Sequence, residues 1–410
     1  MKSIKIDRIQ IEKVFVLFVI AELILGGSGR LIMLGPLSLR ILILACLLAF
    51  DFVLLIEKKI KANSSNVVLI ILLFYFACIL CYSIVINNRA DAINSFTGYL
   101  VISVCPAFIY FSSRNKDFLP VLRKAIYVCT ILLSFITIAL WLFCIVSVGT
   151  AYSFLRQFQY GALAYVGPIP RLFLKGSIFV CCALFFAVTD YLEQRKIKYL
   201  IVSCLYLAAI AVTFTTSFYA FTAVILLFVF YHYYGRKHFV YALILLVLIC
   251  LIGALIMYKA GIFSIFAQRF SGDYDFSYKG TQFKRVLEEV AKRPVFGYGF
   301  GYPITIDYGY TVVTAYSFEI MWLQLLLDTG IVGFALFAGH VLLTFYQLHL
   351  QYINSGNTIY MSLACGLMMF CLVSFTNPFM NNAIGLLYYA ICVGAAFSPC
   401  RSINDEKGAA

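Results

Sequence analysis

One carboxylate stands at the start of a long apolar run, where a side chain can do chemistry at a membrane surface. Glu319 follows Tyr316, Ser317 and Phe318 directly. A carboxylate at such a boundary is a candidate general base. The alternative is a structural acid at a helix N-terminus, favoured by the helix dipole, with Ser317 as the N-cap. The sequence leaves both roles of Glu319 open.

Two cations precede another apolar run. Arg171 and Lys175 are four positions apart and follow Pro168 and Pro170. On a helix they would share one face, one turn apart. An arginine fork beside a lysine point charge would bind a diphosphate. The alternative is that both side chains merely extend to the membrane interface.

Further cations lie in the segment Tyr258–Gly330, which is too polar to be buried in lipid. Residues 281–293 are predicted to form an amphipathic helix, because apolar residues recur at helical spacing from Phe283 to Val290. This helix either lies on the membrane interface with solvated ion pairs or presents Arg285 or Lys279 to a phosphate. The two alternatives are compatible.

Arg269 is a further candidate for diphosphate binding. Ten residues separate Arg269 from Gly280, and the same number separates Arg156 from Gly167. Chance also produces this spacing in a chain with many arginines and glycines. The candidates for diphosphate binding are therefore Arg171, Lys175, Arg269, Lys279 and Arg285.

Tyrosines cluster around a glycine-rich stretch, Gly297-Tyr298-Gly299-Phe300-Gly301. The stretch resembles a nucleotide-binding loop only by its letters, because no strand–helix–strand unit is possible here. Its glycines more simply permit a tight turn. Aromatic rings with a polar tip suit a membrane interface and equally suit stacking on sugars. Tyr298, Tyr302 and Tyr316 are therefore candidate sugar-binding residues.

No sequence pattern predicts a metal site. HExxH and clustered histidines are absent, and the DxD at Asp273–Asp275 stands alone. Cys78 and Cys81 form a CxxC inside an apolar run without a histidine or cysteine partner, which favours packing. We expect no metal and no cofactor, so arginine and lysine must stabilise any phosphate charge.

The elements that position these residues are apolar helices. The chain is 63% hydrophobic and 12% charged, whereas soluble domains carry about one quarter charged residues. Apolar runs of about 18 residues or more recur along its 410 residues. We predict an all-α polytopic membrane protein, a single integral domain over residues 1–410. The predicted spans are residues 12–29, 40–57, 66–86, 92–111, 125–149, 172–192, 198–214, 217–235, 239–259, 319–346, 358–376 and 384–399.

Lysine and arginine predict the orientation of these roughly twelve spans. With a cytoplasmic N-terminus, most basic residues fall in cytoplasmic segments, and both termini lie inside. The outer face then carries a small loop, residues 149–171, and a large loop, residues 260–318, between the ninth and tenth spans. The net charge of +13 reflects this topology and not binding to nucleic acid.

Three short stretches of the sequence resemble a known family. Arg293-Pro294-Val295-Phe296-Gly297-Tyr298-Gly299 resembles the "rPlfGvG" signature of O-antigen polymerases and ligases, the Wzy and WaaL types. Asp328-Thr329-Gly330-Ile331-Val332-Gly333 resembles the "E-x-G-i-x-G" signature that follows it. Thr213-Phe214-Thr215-Thr216-Ser217 is similar to the family's "lt-x-S-R" stretch, with Phe218 in place of the usual arginine. The predicted topology, with its largest outer loop late in the chain, is also similar.

The resemblance implies metal-independent glycosyl transfer from a glycan on undecaprenyl diphosphate to an acceptor hydroxyl. Arg171 matches the family's arginine ahead of the sixth span, and either Lys279 or Arg285 matches the cation of the large loop. Ligases carry a His-Asn pair just before the tenth span, where this chain has Tyr316–Glu319. That departure favours a polymerase, with Glu319 as base or acceptor-orienting group and Arg285 as a second candidate catalytic residue.

The resemblance therefore implies a repeat-unit polymerase of a bacterial inner membrane, making O-antigen, capsule or exopolysaccharide. Its partners would be the lipid-linked oligosaccharide, membrane lipid, a chain-length regulator and a flippase. One alternative is a ligase that transfers a finished glycan. The non-enzymatic alternative is a flippase or other transporter, which would need charged residues deep in many spans. The charges of the candidate site residues here concentrate at the outer mouth.

Overall fold

The computed structural model describes most of the chain. The described residues are 8–27, 29, 31–34, 37–57, 59, 64–87, 89, 91–115, 117–166, 169–235 and 273–398. The predicted span 239–259, Arg269 and the first part of the large loop lie outside these ranges. Most of the basic residues near the two termini also lie outside the described ranges.

The described part is built of helices. They are α1 (Arg8–Leu25), α2 (Leu39–Ile56), α3 (Ser64–Cys81), α4 (Ala92–Thr97), α5 (Cys105–Arg114), α6 (Phe118–Val146), α7 (Val148–Gln157), α8 (Ser177–Gln194), α9 (Ile197–Ala211), α10 (Thr216–Gly235), α11 (Asp273–Lys292), α12 (Met321–Ser355), α13 (Thr358–Val373) and α14 (Ala383–Ala396). A π-helical turn, Tyr82–Ile86, extends α3, and a 3-10 turn, Tyr99–Val104, joins α4 to α5.

Length and composition identify the membrane spans. Among the described residues, seven helical segments are long and apolar enough to cross a membrane, and α9, α13 and α14 are shorter apolar helices. The protein is thus a polytopic all-α membrane protein, as predicted. Helix α9 ends at Ala211 and α10 begins at Thr216, close to the predicted boundary between the seventh and eighth spans.

Three short antiparallel hairpins complete the described fold. They are β1 (Met33–Leu34) with β2 (Leu37–Ser38), β3 (Gly161–Val166) with β4 (Ile169–Leu174), and β5 (Ile304–Asp307) with β6 (Val312–Ala315). In the second hairpin Arg171 pairs with Ala164. Arg171 therefore lies on a strand, and α8 begins only at Ser177. The predicted sharing of one helix face by Arg171 and Lys175 was wrong.

The core centres on α8 and α14, both buried along most of their length. Helix α8 packs against α6, α9 and α13, and α14 packs against α5, α12 and α13. A buried ion pair ties α1 to α2, with Arg40 Nε 3.0 Å from Glu22 Oε2. The pair holds two buried side chains of opposite charge together where α1 meets α2.

The backbones of the two glycine motifs, residues 293–299 and residues 328–333, cross each other. Helix α12 is broken at Gly330, whose φ of 64° and ψ of −172° are not helical. The amide of Ile331 donates to Pro294 O at 2.8 Å, and the amide of Tyr298 donates to Leu327 O at 2.8 Å. A Cβ on Gly330 would lie 2.2 Å from Val295 O. The close backbone contact and the positive φ both require glycine at this position.

The crossing anchors the large loop to the helical bundle. Arg89 donates from Nη1 to Tyr298 O at 2.6 Å, and its guanidinium lies 4.8 Å from the centre of the Tyr302 ring. Phe300 is fully buried among aromatic residues of the bundle, including Phe76 and Tyr99. The loop around residues 294–302 is thus fixed to the membrane-spanning frame.

Candidate functional site

A cavity of about 510 Å³ lies at one end of the bundle. Arg171 and Phe173 line it from β4, and Lys279, Gly280 and Phe283 line it from α11. The rest of its wall comes from the turn between α9 and α10, the start of α10, the residue before α12, and the connection between α13 and α14. These residues are Thr215, Thr216, Ser217, Ala220, Phe221, Ile320, Phe375, Thr376 and Asn377.

The elements around the cavity meet at the same end of the bundle. The amide of Met321, at the start of α12, donates to Ser374 O at the end of α13, at 3.2 Å. Trp141, near the end of α6, donates from Nε1 to Pro170 O in β4 at 2.7 Å. Arg171 of the predicted small outer loop and Lys279 of the predicted large outer loop line this cavity, so the described parts of the two loops lie on the same side of the bundle.

The alternation of side chains along strand β4 directs the side chain of Arg171 toward the cavity. Buried and half-buried residues alternate along β4, as on a strand packed on one side. Leu172 and Leu174 face the core, so Arg171 and Phe173 face the cavity. Arg171 donates from Nε to Thr213 O at 3.3 Å, which fixes the guanidinium beside the turn between α9 and α10.

Lys279 is the cation that α11 supplies. Its Nζ lies 3.0 Å from Glu319 Oε2 and donates to Thr376 O at 3.1 Å. Its side chain is 34% exposed, so the ammonium is held between two elements and still reaches solvent. Among the predicted phosphate-binding residues, the structure thus brings Lys279 and Arg171 to one cavity.

Glu319 lies outside the helix that follows it. Helix α12 begins at Met321, and its N-cap position is Ile320, so the predicted cap at Ser317 was wrong. Glu319 lies in an irregular segment before α12. The side chain of Gln282 holds this segment, because its Oε1 accepts a hydrogen bond from the amide of Glu319 at 3.2 Å. The Glu319 carboxylate is 45% exposed beside Lys279.

Asn377 is a cavity residue that the sequence reasoning missed. Its amide donates to Thr376 Oγ1 at 3.1 Å and to Ser217 Oγ at 3.5 Å. It thereby links the connection after α13 to the start of α10. The polar interruption between two apolar runs at residues 376–382 was the available signal.

Arg285 does not line the cavity. Its guanidinium pairs with Glu289 at 2.8 Å and with Glu288 at 3.2 Å, and it donates to Thr305 O at 3.4 Å. About 100° of rotation per residue puts Arg285 and Lys279 on different sides of α11. That helix starts at Asp273, eight residues before the predicted start. Lys175, just beyond β4, does not line the cavity either.

The buried face of α11 differs in part from the predicted apolar face. Val286 and Val290 are buried as predicted, but Phe283 and Leu287 are exposed, at 47% and 45%. Glu289 shares the buried face. Burial raises the pKa of Glu289, but hydrogen bonds and charges from Lys292 and Arg285 outweigh it, so the pKa lies below its usual value.

The candidate sugar-binding tyrosines lie outside the cavity lining. Tyr298 is buried, donates to Glu289 Oε2 at 3.2 Å and stacks on Tyr302 at 4.0 Å between ring centres. Burial, together with the neighbouring Tyr302 and Glu289, raises the pKa of Tyr298. Tyr316 is 38% exposed and accepts a hydrogen bond from Gln324 through its carbonyl. Sugar binding by these residues stays a prediction.

Phe218, at the position where the family has arginine, is fully buried. Its ring packs against Phe173 and Phe379, with centres 5.8 Å and 6.4 Å apart. The preceding residues Thr215, Thr216 and Ser217 do line the cavity. The motif thus contributes hydroxyl groups but no charge, and Lys279 and Arg171 are the two cations of the lining.

Fold and cavity define a polytopic all-α membrane protein with a cation-lined cavity at one end of its bundle. Residues 199–338 match the family model Wzy_C, described as O-antigen ligase. This match confirms the predicted resemblance to the O-antigen polymerase and ligase superfamily. It includes Lys279, Glu319 and both glycine motifs. No match was found among curated proteins.

Proposed function

We propose that the protein is a glycosyltransferase that polymerises repeat units linked to undecaprenyl diphosphate, without a metal. The observation that carries this proposal is the meeting of Arg171 and Lys279 in one cavity, with Glu319 3.0 Å from Lys279. Members of the matched family are glycosyltransferase-like enzymes. Cations stabilise the charge of a leaving diphosphate, and a base accepts the proton of the acceptor hydroxyl.

The cavity suits a ligand that is anionic at one end and apolar at the other. Arg171 and Lys279 supply the cationic part of its lining. The N-terminus of α10 at Thr216 also lies at the cavity, and the helix dipole there favours an anion. Phe173, Phe221, Phe283 and Phe375 supply an aromatic wall. Phe375 is 55% exposed, so the wall continues to the outer surface of the bundle, where a polyprenyl chain would lie.

In the proposed reaction, an acceptor hydroxyl oxygen attacks the anomeric carbon of the donor glycan. The bond between that carbon and the diphosphate oxygen breaks, and polyprenyl diphosphate leaves with the bonding electrons. Glu319 accepts the hydroxyl proton. Arg171 and Lys279 stabilise the charge that grows on the diphosphate, and contact with the diphosphate releases Lys279 from Glu319.

We further propose an inner-membrane location, with both termini in the cytoplasm and the cavity on the outer face. The distribution of basic residues supports this orientation. A flippase that delivers lipid-linked units and a chain-length regulator would be the companion proteins. Tyr316, which is part-exposed and precedes Glu319, remains a proposed sugar contact.

A ligase is the second candidate, because the description of the matched family names that activity. It would transfer a finished glycan from the same carrier. The segment Tyr316–Glu319 stands where ligases carry a His-Asn pair, and this favours the polymerase.

Deletion of the gene in the native host tests the proposal. Surface glycans and lipid-linked glycans are extracted and separated on gels. A polymerase predicts that the surface ladder collapses to single repeat units. Long chains stranded on the polyprenyl carrier would identify a ligase, and single units stranded on the cytoplasmic side would identify a flippase.

A further inference from the structure

A second cavity, of about 490 Å³, lies at the end of the bundle opposite the candidate site. We call it the α6–α9 groove, because residues from the N-terminal halves of α6 and α9 form most of its walls. Asn357 and Ile359, at the start of α13, complete it. These are the ends of α6, α9 and α13 that lie away from Arg171 and Lys279.

One cation of the groove is neutralised within the protein. Arg123 binds Asp190 through two nitrogens, and the Tyr127 hydroxyl donates to the same carboxylate at 2.6 Å. Asp190 is buried on α8, so this network fixes α6 to α8. Arg123 therefore serves packing and adds no net charge to the groove.

Two lysines leave the groove with a net positive charge. Lys124 and Lys198 both line it and are both exposed. Within the described part of the chain, neither forms an ion pair with a carboxylate. Lys198 lies over the ring of Tyr199, with Nζ 4.8 Å from the ring centre. The two lysines therefore line the groove from two different helices.

Apolar residues lie one helical turn deeper on both helices. Val128 follows Lys124 by four residues on α6, and Val202 follows Lys198 by four residues on α9. Each step is about 6 Å along the helix axis. Val128 is 57% exposed, so the groove opens sideways onto the surface that meets lipid. The lining thus passes from cationic to apolar in the direction in which a lipid passes from headgroup to acyl chain.

We propose that the α6–α9 groove binds an anionic glycerophospholipid in the leaflet opposite the candidate site. Lys124 and Lys198 bind the phosphate of the headgroup, and Val128, Ile131 and Val202 contact the upper part of an acyl chain. Basic pockets between membrane helices commonly bind acidic headgroups. Lysines that only extend to the interface need no cavity beneath them, whereas these two stand above one. The bound lipid would bridge α6 and α9.

Native mass spectrometry of the full chain tests this proposal. The protein is released from nanodiscs made of equal parts phosphatidylcholine and phosphatidylglycerol, and the retained lipids are identified. Wild-type protein should retain phosphatidylglycerol preferentially. Lys124→Gln/Lys198→Gln should reduce this preference about 30-fold, because each lysine near an acidic headgroup contributes roughly fivefold. Lys124→Arg/Lys198→Arg should keep it.

A charge-matched variant gives the control. Lys196→Gln/Lys284→Gln removes two exposed lysines that do not line the groove, and it should retain phosphatidylglycerol as wild type does. Equal loss in both double variants would overturn the site in favour of general surface charge. Displacement of the lipid by millimolar glycerol 3-phosphate would overturn the lipid assignment and indicate a site for free phosphate.

Discussion

Lys279 on α11 and Glu319 before α12 form an ion pair of 3.0 Å between the large loop and the bundle. Neither residue stands alone, because Lys279 also donates to Thr376 O and the amide of Glu319 donates to Gln282. The pair therefore joins a candidate phosphate-binding cation to a candidate base at the edge of one cavity. In the proposed reaction the incoming diphosphate competes with Glu319 for Lys279.

Replacing Glu319 with glutamine should lower turnover without weakening donor binding. Glutamine keeps the size of the side chain but cannot accept the acceptor proton, and general bases contribute roughly 100- to 10,000-fold to rates. Measurements of kcat and KM on lipid-linked repeat units check this. Glu288→Gln is the control, because Glu288 is an exposed carboxylate on α11 that pairs with Arg285. Unchanged rate and product length in Glu319→Gln would remove its catalytic role.

Alanine at Gly330 should destabilise the protein. The new Cβ would lie 2.2 Å from Val295 O, at a φ of 64°, and strained positions of this kind cost about 1–3 kcal/mol even before the steric clash. Thermal unfolding in detergent measures the effect. Gly339, in the same helix, has open space around the position of a Cβ. Gly339→Ala should therefore leave the melting temperature unchanged or raise it, since alanine favours helix.

Acid should weaken the contacts that Glu289 of α11 makes within the large loop. The pKa of Glu289 lies below its usual 4.5 in the folded protein, so its ionised form adds stability above pH 4.5. That stability is lost as pH falls through the folded-state pKa. Melting temperatures of wild type and Glu289→Gln should therefore differ at pH 7 and converge as pH falls below 4.5. A constant difference would contradict the assigned ion pairs.

A negative charge at Asn377 should weaken donor binding. Asn377 lines the cavity beside Arg171 and Lys279, and its amide donates to Ser217. Asn377→Asp would place a carboxylate near the proposed diphosphate position and raise KM, because like charges repel. Asn377→Ser, which keeps a neutral polar group, should change KM much less. Equal KM values for wild type and Asn377→Asp would place the diphosphate elsewhere.

The apolar spans were predictable because lipid burial requires about 20 consecutive apolar residues. Local patterns were less informative. Residues 172–174 read as the start of a span, yet they belong to a strand whose alternate residues face the core and the cavity. The first turns of α11, from Asp273, lack an apolar stripe, so the start of the helix was predicted eight residues late.

The sequence could not decide between Lys279 and Arg285, because motif spacing does not report the rotation of a helix. The structure resolves the placement through contacts made by distant segments. Glu319 and Thr376 hold Lys279 at the cavity, whereas Glu289 and Thr305 hold Arg285 on another side of α11. Asn377 was missed for a similar reason, since only the docking of α13 beside α10 reveals its position.

Reconstituted polymerisation is the most direct test of the central claim that Arg171 and Lys279 hold the leaving diphosphate. Purified protein is given lipid-linked repeat units, and chain length is followed over time. Lys279→Gln and Arg171→Gln should each lower kcat/KM by roughly 100- to 1,000-fold, the usual loss for one group that stabilises transition-state charge. Lys284→Gln, an exposed lysine on the same helix, should behave as wild type. Long chains formed at the wild-type rate by Lys279→Gln would contradict the account.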